Sequence, residues 1–274
     1  MKERVVNFGP NQALNGIVTE PENSSARTAP TVVLLNAGIV HRVGPFRLNV
    51  DLARHLATLG VRSLRFDLSG LGESRIRAGK MSSHERAKLD VSDAFTFLEK
   101  KYGAEGFVLM GLCSGAFNAH QVAIYDPRVK GAVFFDGIAF PTFGYKLHRN
   151  LFRFLKPRFW RNYLKRRRSS EATACTAGDE LAEQEFFGTD LDRKQVKGEV
   201  RSLLERGTQL FFVYTEGYAE MVSQAQFEAM FGLAVNGQDL SFKYYNEADH
   251  TFRLTQNRVR AVEDVGAGFK ARFA

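Results

Sequence analysis

Cysteine and tryptophan are scarce in this 274-residue chain, which has two of the first and one of the second. Two cysteines cannot build a disulfide framework, and they fit a reducing compartment in which a thiol stays usable. No apolar run approaches membrane-spanning length, and the opening Met-Lys-Glu-Arg-Val-Val lacks the apolar core of a secretory signal. A cytoplasmic protein without a membrane span is therefore expected. No Gly-x-Gly-x-x-Gly follows the first parallel-type strand, which removes the usual dinucleotide fingerprint. No metal cluster or organic cofactor is indicated, and no internal repeat or low-complexity tract is evident. Acids are missing from one segment only. Between Lys146 and Arg168 lie ten Lys or Arg and no Asp or Glu, so the net charge of +8 is local and nucleic-acid binding is not expected.

What is present reads as a single α/β rhythm. With 44% hydrophobic and 25% charged residues, the chain has an ordinary globular composition and enough length for a substantial core. Short strands are expected at 5–8 and 14–19, then buried strands at 31–35, 61–66, 107–110, 131–135, 209–215 and 240–245. Helices fall between them: 49–59, a capping box Ser82-Ser-His-Glu85 opening a helix to Tyr102, 116–125, 219–231, and a last one from about Arg258. Strands alternating with helices imply a mostly parallel sheet covered on both faces. The rhythm breaks at 138–205, where Phe, Trp and Tyr interleave with Arg and Lys. An acidic stretch with seven Asp or Glu follows, from Glu171 to Asp192. The expected organisation is a core of 1–137 and 206–274 with a cap or lid insertion at 138–205.

The chemistry centres on Gly111-Leu112-Cys113-Ser114-Gly115. A strand-type run ends at Gly111 and a helix-compatible run starts after Gly115, so Cys113 falls on a sharp strand-to-helix turn. Such a turn brings two backbones close and demands small residues two before and two after its centre. Glycines stand at both places around Cys113. Centring the turn on Ser114 would put Leu112 and Ala116 there, and Leu112 would clash, so Cys113 is the candidate nucleophile.

This segment resembles the nucleophile elbow of the α/β-hydrolases, in the Gly-x-Cys-x-Gly form seen in dienelactone hydrolases. Gly-Leu-Cys-Ser-Gly-Ala is also similar to hydrolases associated with bacterial exosortase systems. The resemblance implies an α/β-hydrolase fold whose helical cap sits between the sixth and seventh core strands. It implies an oxyanion hole formed by backbone N–H groups of Ser114 and of Gly38 or Ile39 after the third strand, where Asn36-Ala37 replaces the usual His-Gly. Asp67-Leu-Ser-Gly70-Leu-Gly72-Glu-Ser74 looks like a structural loop of the same superfamily, and a phosphate-cradling role for its glycines is disfavoured because no helix follows. The base implied after the last strand is His250. The acid's usual place aligns with Tyr218, which cannot serve. Glu216 leads the alternatives, with Glu220 beside it and Asp136 at the end of the sixth strand.

The function expected is acyl transfer on an ester or thioester, by an esterase, thioesterase or acyltransferase with a Cys–His pair. The basic segment 146–168 suggests an anionic acyl donor such as a coenzyme A or carrier-protein thioester, unless it pairs internally with the acidic stretch. Cys175 is read as a bystander. The rival expectation is a catalytically silent binding protein of the same fold, favoured by the displaced acid and by Asn36 in place of His.

Overall fold

Apolar runs without polar alternation form the middle of a sheet, because a strand covered on both faces has no side that meets water. A computed structural model describes residues 1–22, 29–140, 192–218 and 221–273. Its eight strands are β1 (Lys2–Phe8), β2 (Leu14–Glu20), β3 (Thr31–Leu34), β4 (Ser63–Phe66), β5 (Phe107–Leu112), β6 (Val129–Phe135), β7 (Gln209–Thr215) and β8 (Leu240–Tyr245). They form one sheet in the order β1-β2-β4-β3-β5-β6-β7-β8. The β1–β2 and β2–β4 pairs are antiparallel, and every pair from β4 through β3 to β8 is parallel. All four residues of β3 and all six of β5 are buried.

Period-two alternation sends neighbours on these strands into two cores. Val33, Leu35, Phe107 and Leu109 face one side, and Val32, Leu34, Val108 and Met110 face the other. The first side is covered by α2 (Ser83–Tyr102), α3 (Ser114–Tyr125), α4 (Arg193–Glu205) and α5 (Gln224–Phe231). The second is covered by α1 (Leu48–Thr58) and α6 (Thr255–Phe273). The expected capping box opens α2: the Ser82 hydroxyl accepts from the Glu85 N–H, and the Glu85 carboxylate accepts from the Ser82 N–H. Helix α5 begins later than expected because Ser223 caps it, accepting from the Gln226 N–H.

Residues 193–205, expected within the insertion, form α4. Its Val196, Val200 and Leu203 are buried in the same core cluster as α2 and α3, so α4 serves as the crossover between β6 and β7. The basic segment 146–168, Cys175, Glu220 and all of the acidic stretch before Asp192 lie outside the described residues. Among the described residues, no helix is long and apolar enough to cross a membrane. Because β3 to β8 run in one direction, the loops after β3, β5, β6, β7 and β8 gather at a single edge. That edge carries the site.

Candidate active site

The backbone at Cys113 has φ 60° and ψ −120°, a conformation costly for a residue with a side chain. It persists because its surroundings determine it. The Cys113 N–H donates to the Phe135 carbonyl, and the Cys113 carbonyl accepts from Ala116 and Phe117 in the first turn of α3. A Cβ at Gly111 would lie 2.2 Å from the Gly115 carbonyl carbon, and one at Gly115 would lie 2.4 Å from the Asn36 carbonyl oxygen. The two glycines thus do what the spacing argument required, one between strand and helix, the other between helix and the β3 loop. Cys113 keeps some exposure, while Ser114 is the first residue of α3 and is buried. The thiol therefore sits at the N-terminus of α3.

His250, on the loop after β8, reaches the thiol. Its Nδ1 lies 2.9 Å from Asp136 Oδ2, and the Cys113 side chain is close enough to act on the charge of the ring. With Nδ1 on the carboxylate, Nε2 is the nitrogen left to face sulfur. The structure thus pairs His250 with Asp136 and not with Glu216. Glu216 is exposed at the end of β7, where its N–H donates to the Tyr245 carbonyl. The next residue, Gly217, is pressed against the His250 loop: a Cβ there would lie 2.3 Å from the His250 nitrogen. The turn after β7 therefore meets His250 with its backbone, and the Glu216 carboxylate makes no hydrogen bond to the ring. Tyr218 instead stacks on the imidazole, ring centroids 5.9 Å apart, with its hydroxyl donating to the Gly137 carbonyl.

Asp136 is 1% exposed and sits at φ 43°, a turn that brings its carboxylate across to β7. Oδ1 accepts from the Thr215 N–H at 2.7 Å, and Oδ2 accepts from the Thr215 hydroxyl at 2.5 Å as well as from His250. Burial pushes this carboxyl up, and the bonds from His250 and Thr215 oppose that shift. The bond to Asp136, followed by the influence of the Cys113 side chain, pushes the His250 imidazolium up to about 10 against the cost of burial. At neutral pH the ring holds its proton. Asp249, the other nearby carboxylate, is used locally, accepting from Thr251 and Arg253.

The expected oxyanion loop is held by a network centred on two buried side chains. Asn36 donates to the Val40 carbonyl and to Asp67, and its own carbonyl oxygen accepts from the Leu68 N–H. Asp67, fully buried, also accepts from the Arg42 N–H and guanidinium and from the Glu73 N–H. A Cβ at Gly72 would lie 2.3 Å from Asp67 Oδ2, which supports the structural reading of that glycine-rich loop. Gly38, one of the two expected donors, already gives its N–H to the Ser114 hydroxyl at 2.7 Å. Beside them opens a cavity of about 170 Å³, lined in part by Leu68, Leu71, Ile76, His84 and Asn118. Of the other described histidines, His84 borders this cavity and bonds Asn118, His120 bonds Glu199, His55 packs on Gly266, and His41 is exposed.

A family model described as the alpha/beta hydrolase fold matches residues 30–198, more than half of the chain. The chain belongs to the α/β-hydrolase family. Among solved structures it is similar to a Pyrococcus furiosus esterase, with a TM-score of 0.65 and 14% identity over 100% of this chain and 92% of that one. It is also similar to the esterase domain of a Rhodothermus marinus protein, with a TM-score of 0.61 and 19% identity over 100% of both chains. An alpha/beta hydrolase from a Penicillium species matches at a TM-score of 0.61 and 14% identity, over 100% of this chain and 99% of that one. At these identities the likeness is one of fold. No curated protein matches the chain by sequence.

For this hydrolase-fold chain, the resemblance placed Asp136 among the alternatives without ranking it first, and the sequence reading did not find Arg42, Thr215 or Asn36 as site supports. Asp136-Gly137 at the end of a buried strand was the available signal. A carboxylate directly after four buried apolar residues needs partners wherever the chain turns.

Proposed function

We propose that this α/β-hydrolase is an acyl-transfer enzyme acting through Cys113, His250 and Asp136 on an ester or thioester. The observation that carries this reading is the placement of His250, bonded to a buried carboxylate on one side and next to the elbow thiol on the other, close enough for the thiol to act on the charge of the ring. The Cys113 thiolate attacks the acyl carbonyl, a C–S bond forms, and the carbonyl pair moves onto oxygen. As the intermediate collapses, the bond to the leaving group breaks and His250 gives its Nε2 proton to the departing alkoxide or thiolate. In the acyl-enzyme, Sγ is no longer charged and no longer holds the ring's proton as strongly. Neutral His250 then takes a proton from water or another acceptor, whose attack releases the acyl group. Asp136 fixes the tautomer and stabilises the imidazolium in both halves.

A thiol nucleophile suits activated acyl groups, so thioesters, activated esters and lactones rank above amides. If the cavity beside Ser114 takes the acyl chain, its volume suits a group of about six heavy atoms, since engineered cavities of about 150 Å³ hold benzene. The ten bases of 146–168 motivate an anionic donor, a coenzyme A or carrier-protein thioester, recognised by several charge-assisted contacts acting together. A silent binding protein would have no use for a strained thiol held against a protonated histidine. The test is turnover of a small activated thioester by the wild type, Cys113→Ala and His250→Gln. Both variants should lose at least about 10²-fold in kcat while melting normally. Full activity in Cys113→Ala would overturn the reading.

A further inference from the structure

Ser114 stands next to the nucleophile, and its side chain lies where an oxyanion hole would be expected. The Gly38 N–H points at Ser114 Oγ, 2.7 Å away, so it cannot also point at a substrate oxygen while the hydroxyl stays in place. Ser114 is 4% exposed and borders the cavity with Gly38. Its oxygen is used as an acceptor, yet among the described residues no acceptor takes its proton. A buried hydroxyl with an unused donor thus lies at the cavity edge, on the residue whose backbone N–H is an expected oxyanion donor.

We infer that the Ser114 hydroxyl is itself an oxyanion donor, polarised by the Gly38 N–H and acting with the Ser114 backbone N–H. This deepens the proposed function and rests on Cys113 as nucleophile. Ser114 then contributes twice, by backbone and by side chain, and Gly38 acts at one remove, holding the hydroxyl oxygen so that its proton turns toward substrate. The opposite account is a plug: the hydroxyl occupies the Gly38 donor at rest and must swing away before the carbonyl oxygen can enter. Both accounts use the same 2.7 Å bond, and they predict opposite signs.

The experiment compares wild type, Ser114→Ala and Ser114→Thr on a p-nitrophenyl ester of a short acid, with pre-steady-state release of nitrophenol reporting acylation. Loss of one oxyanion donor costs about 10²–10³-fold in kcat where no replacement exists. Gly38 is freed in Ser114→Ala and compensates in part, so the expected fall in acylation rate is about 10–10²-fold with KM little changed. Affinity for an aldehyde inhibitor, which forms a thiohemiacetal on Cys113, should fall by a similar factor. Ser114→Thr keeps the hydroxyl and should recover most of the rate. Alkylation of Cys113 by iodoacetamide needs no oxyanion hole and should be unchanged in Ser114→Ala. A Ser114→Ala enzyme that acylates as fast as wild type or faster would overturn the inference in favour of the plug. So would a Ser114→Thr enzyme that is folded and as slow as Ser114→Ala. Wild-type Cys113 that alkylates no faster than a free thiol would instead defeat the underlying nucleophile assignment.

Discussion

The two halves of the site are specified by different means. On the side of the proposed nucleophile, geometry is written into the local sequence: Gly111 and Gly115 stand where any Cβ would strike backbone at 2.2 and 2.4 Å, and Cys113 between them has nowhere else to go. On the acid–base side, nothing local places the partners. Asp136, Thr215 and His250 come from the ends of β6, β7 and the loop after β8, and they meet because those strands run parallel in adjacent register. A nucleophile held by sterics tolerates almost no change of side-chain volume beside it. A base held by hydrogen bonds tolerates volume and is sensitive to the identity of the acceptor.

The sharpest way to break this contrast is at Asp136. Asp136→Asn keeps the shape and both Thr215 donors in reach but replaces one acceptor of Oδ1 and Oδ2 with an amide. The expected result is a fall in kcat/KM of about 10²-fold, smaller than for a serine enzyme because a thiol depends less on its base. Next in size is Gly115→Ala, which should destabilise the fold by about 1–3 kcal/mol in urea unfolding, with loss of activity. Gly198→Ala is the matching control, since a Cβ there meets nothing within 4 Å in an exposed turn of α4. It should be neutral or stabilising by up to about 1 kcal/mol. If Gly115→Ala behaves like Gly198→Ala, the steric account of the elbow is wrong.

A smaller effect concerns pH. The His250 pKa is raised to about 10 from an ordinary 6.5, so the stability owed to its charged form is fully present below pH 6.5 and is lost as pH rises through about 10. The alkaline limb of the acylation rate should fall in the same range, because the leaving group needs the His250 proton. Removing the largest cause of the shift, in Asp136→Asn, should move that limb to lower pH. A limb unmoved by the substitution would detach it from His250. The smallest effect is expected at Glu216→Gln, under about twofold on kcat/KM, in keeping with an exposed carboxylate that has no bond to the ring.

This contrast also explains how far the sequence could be read. The strand-and-helix rhythm, the capping box of α2 and the glycine-flanked turn at Cys113 were legible, since each depends on spacing within one segment, while His250 was singled out only through the resemblance to the α/β-hydrolases. The pairing of His250 with Asp136 was not, because it depends on which of three carboxylates the turns after β6 and β7 face inward. Gly217 decides this by laying its backbone against His250 and leaving Glu216 outside. Helix α4 was read as part of an insertion because Lys194, Lys197 and Arg201 mask a narrow apolar stripe of Val196, Val200 and Leu203. The occupation of the Gly38 donor was hidden for a similar reason. It is a contact between residues 76 apart in sequence.

The central claim, a covalent acyl group carried on Cys113, is open to direct observation. The enzyme is mixed with excess p-nitrophenyl ester, quenched in acid within the first turnover, digested and analysed by mass spectrometry. The account predicts one acyl group on the peptide carrying Cys113, none in Cys113→Ala, and a slower appearance in Asp136→Asn. An acyl group found on Ser114, or turnover with no adduct on either residue, would contradict it.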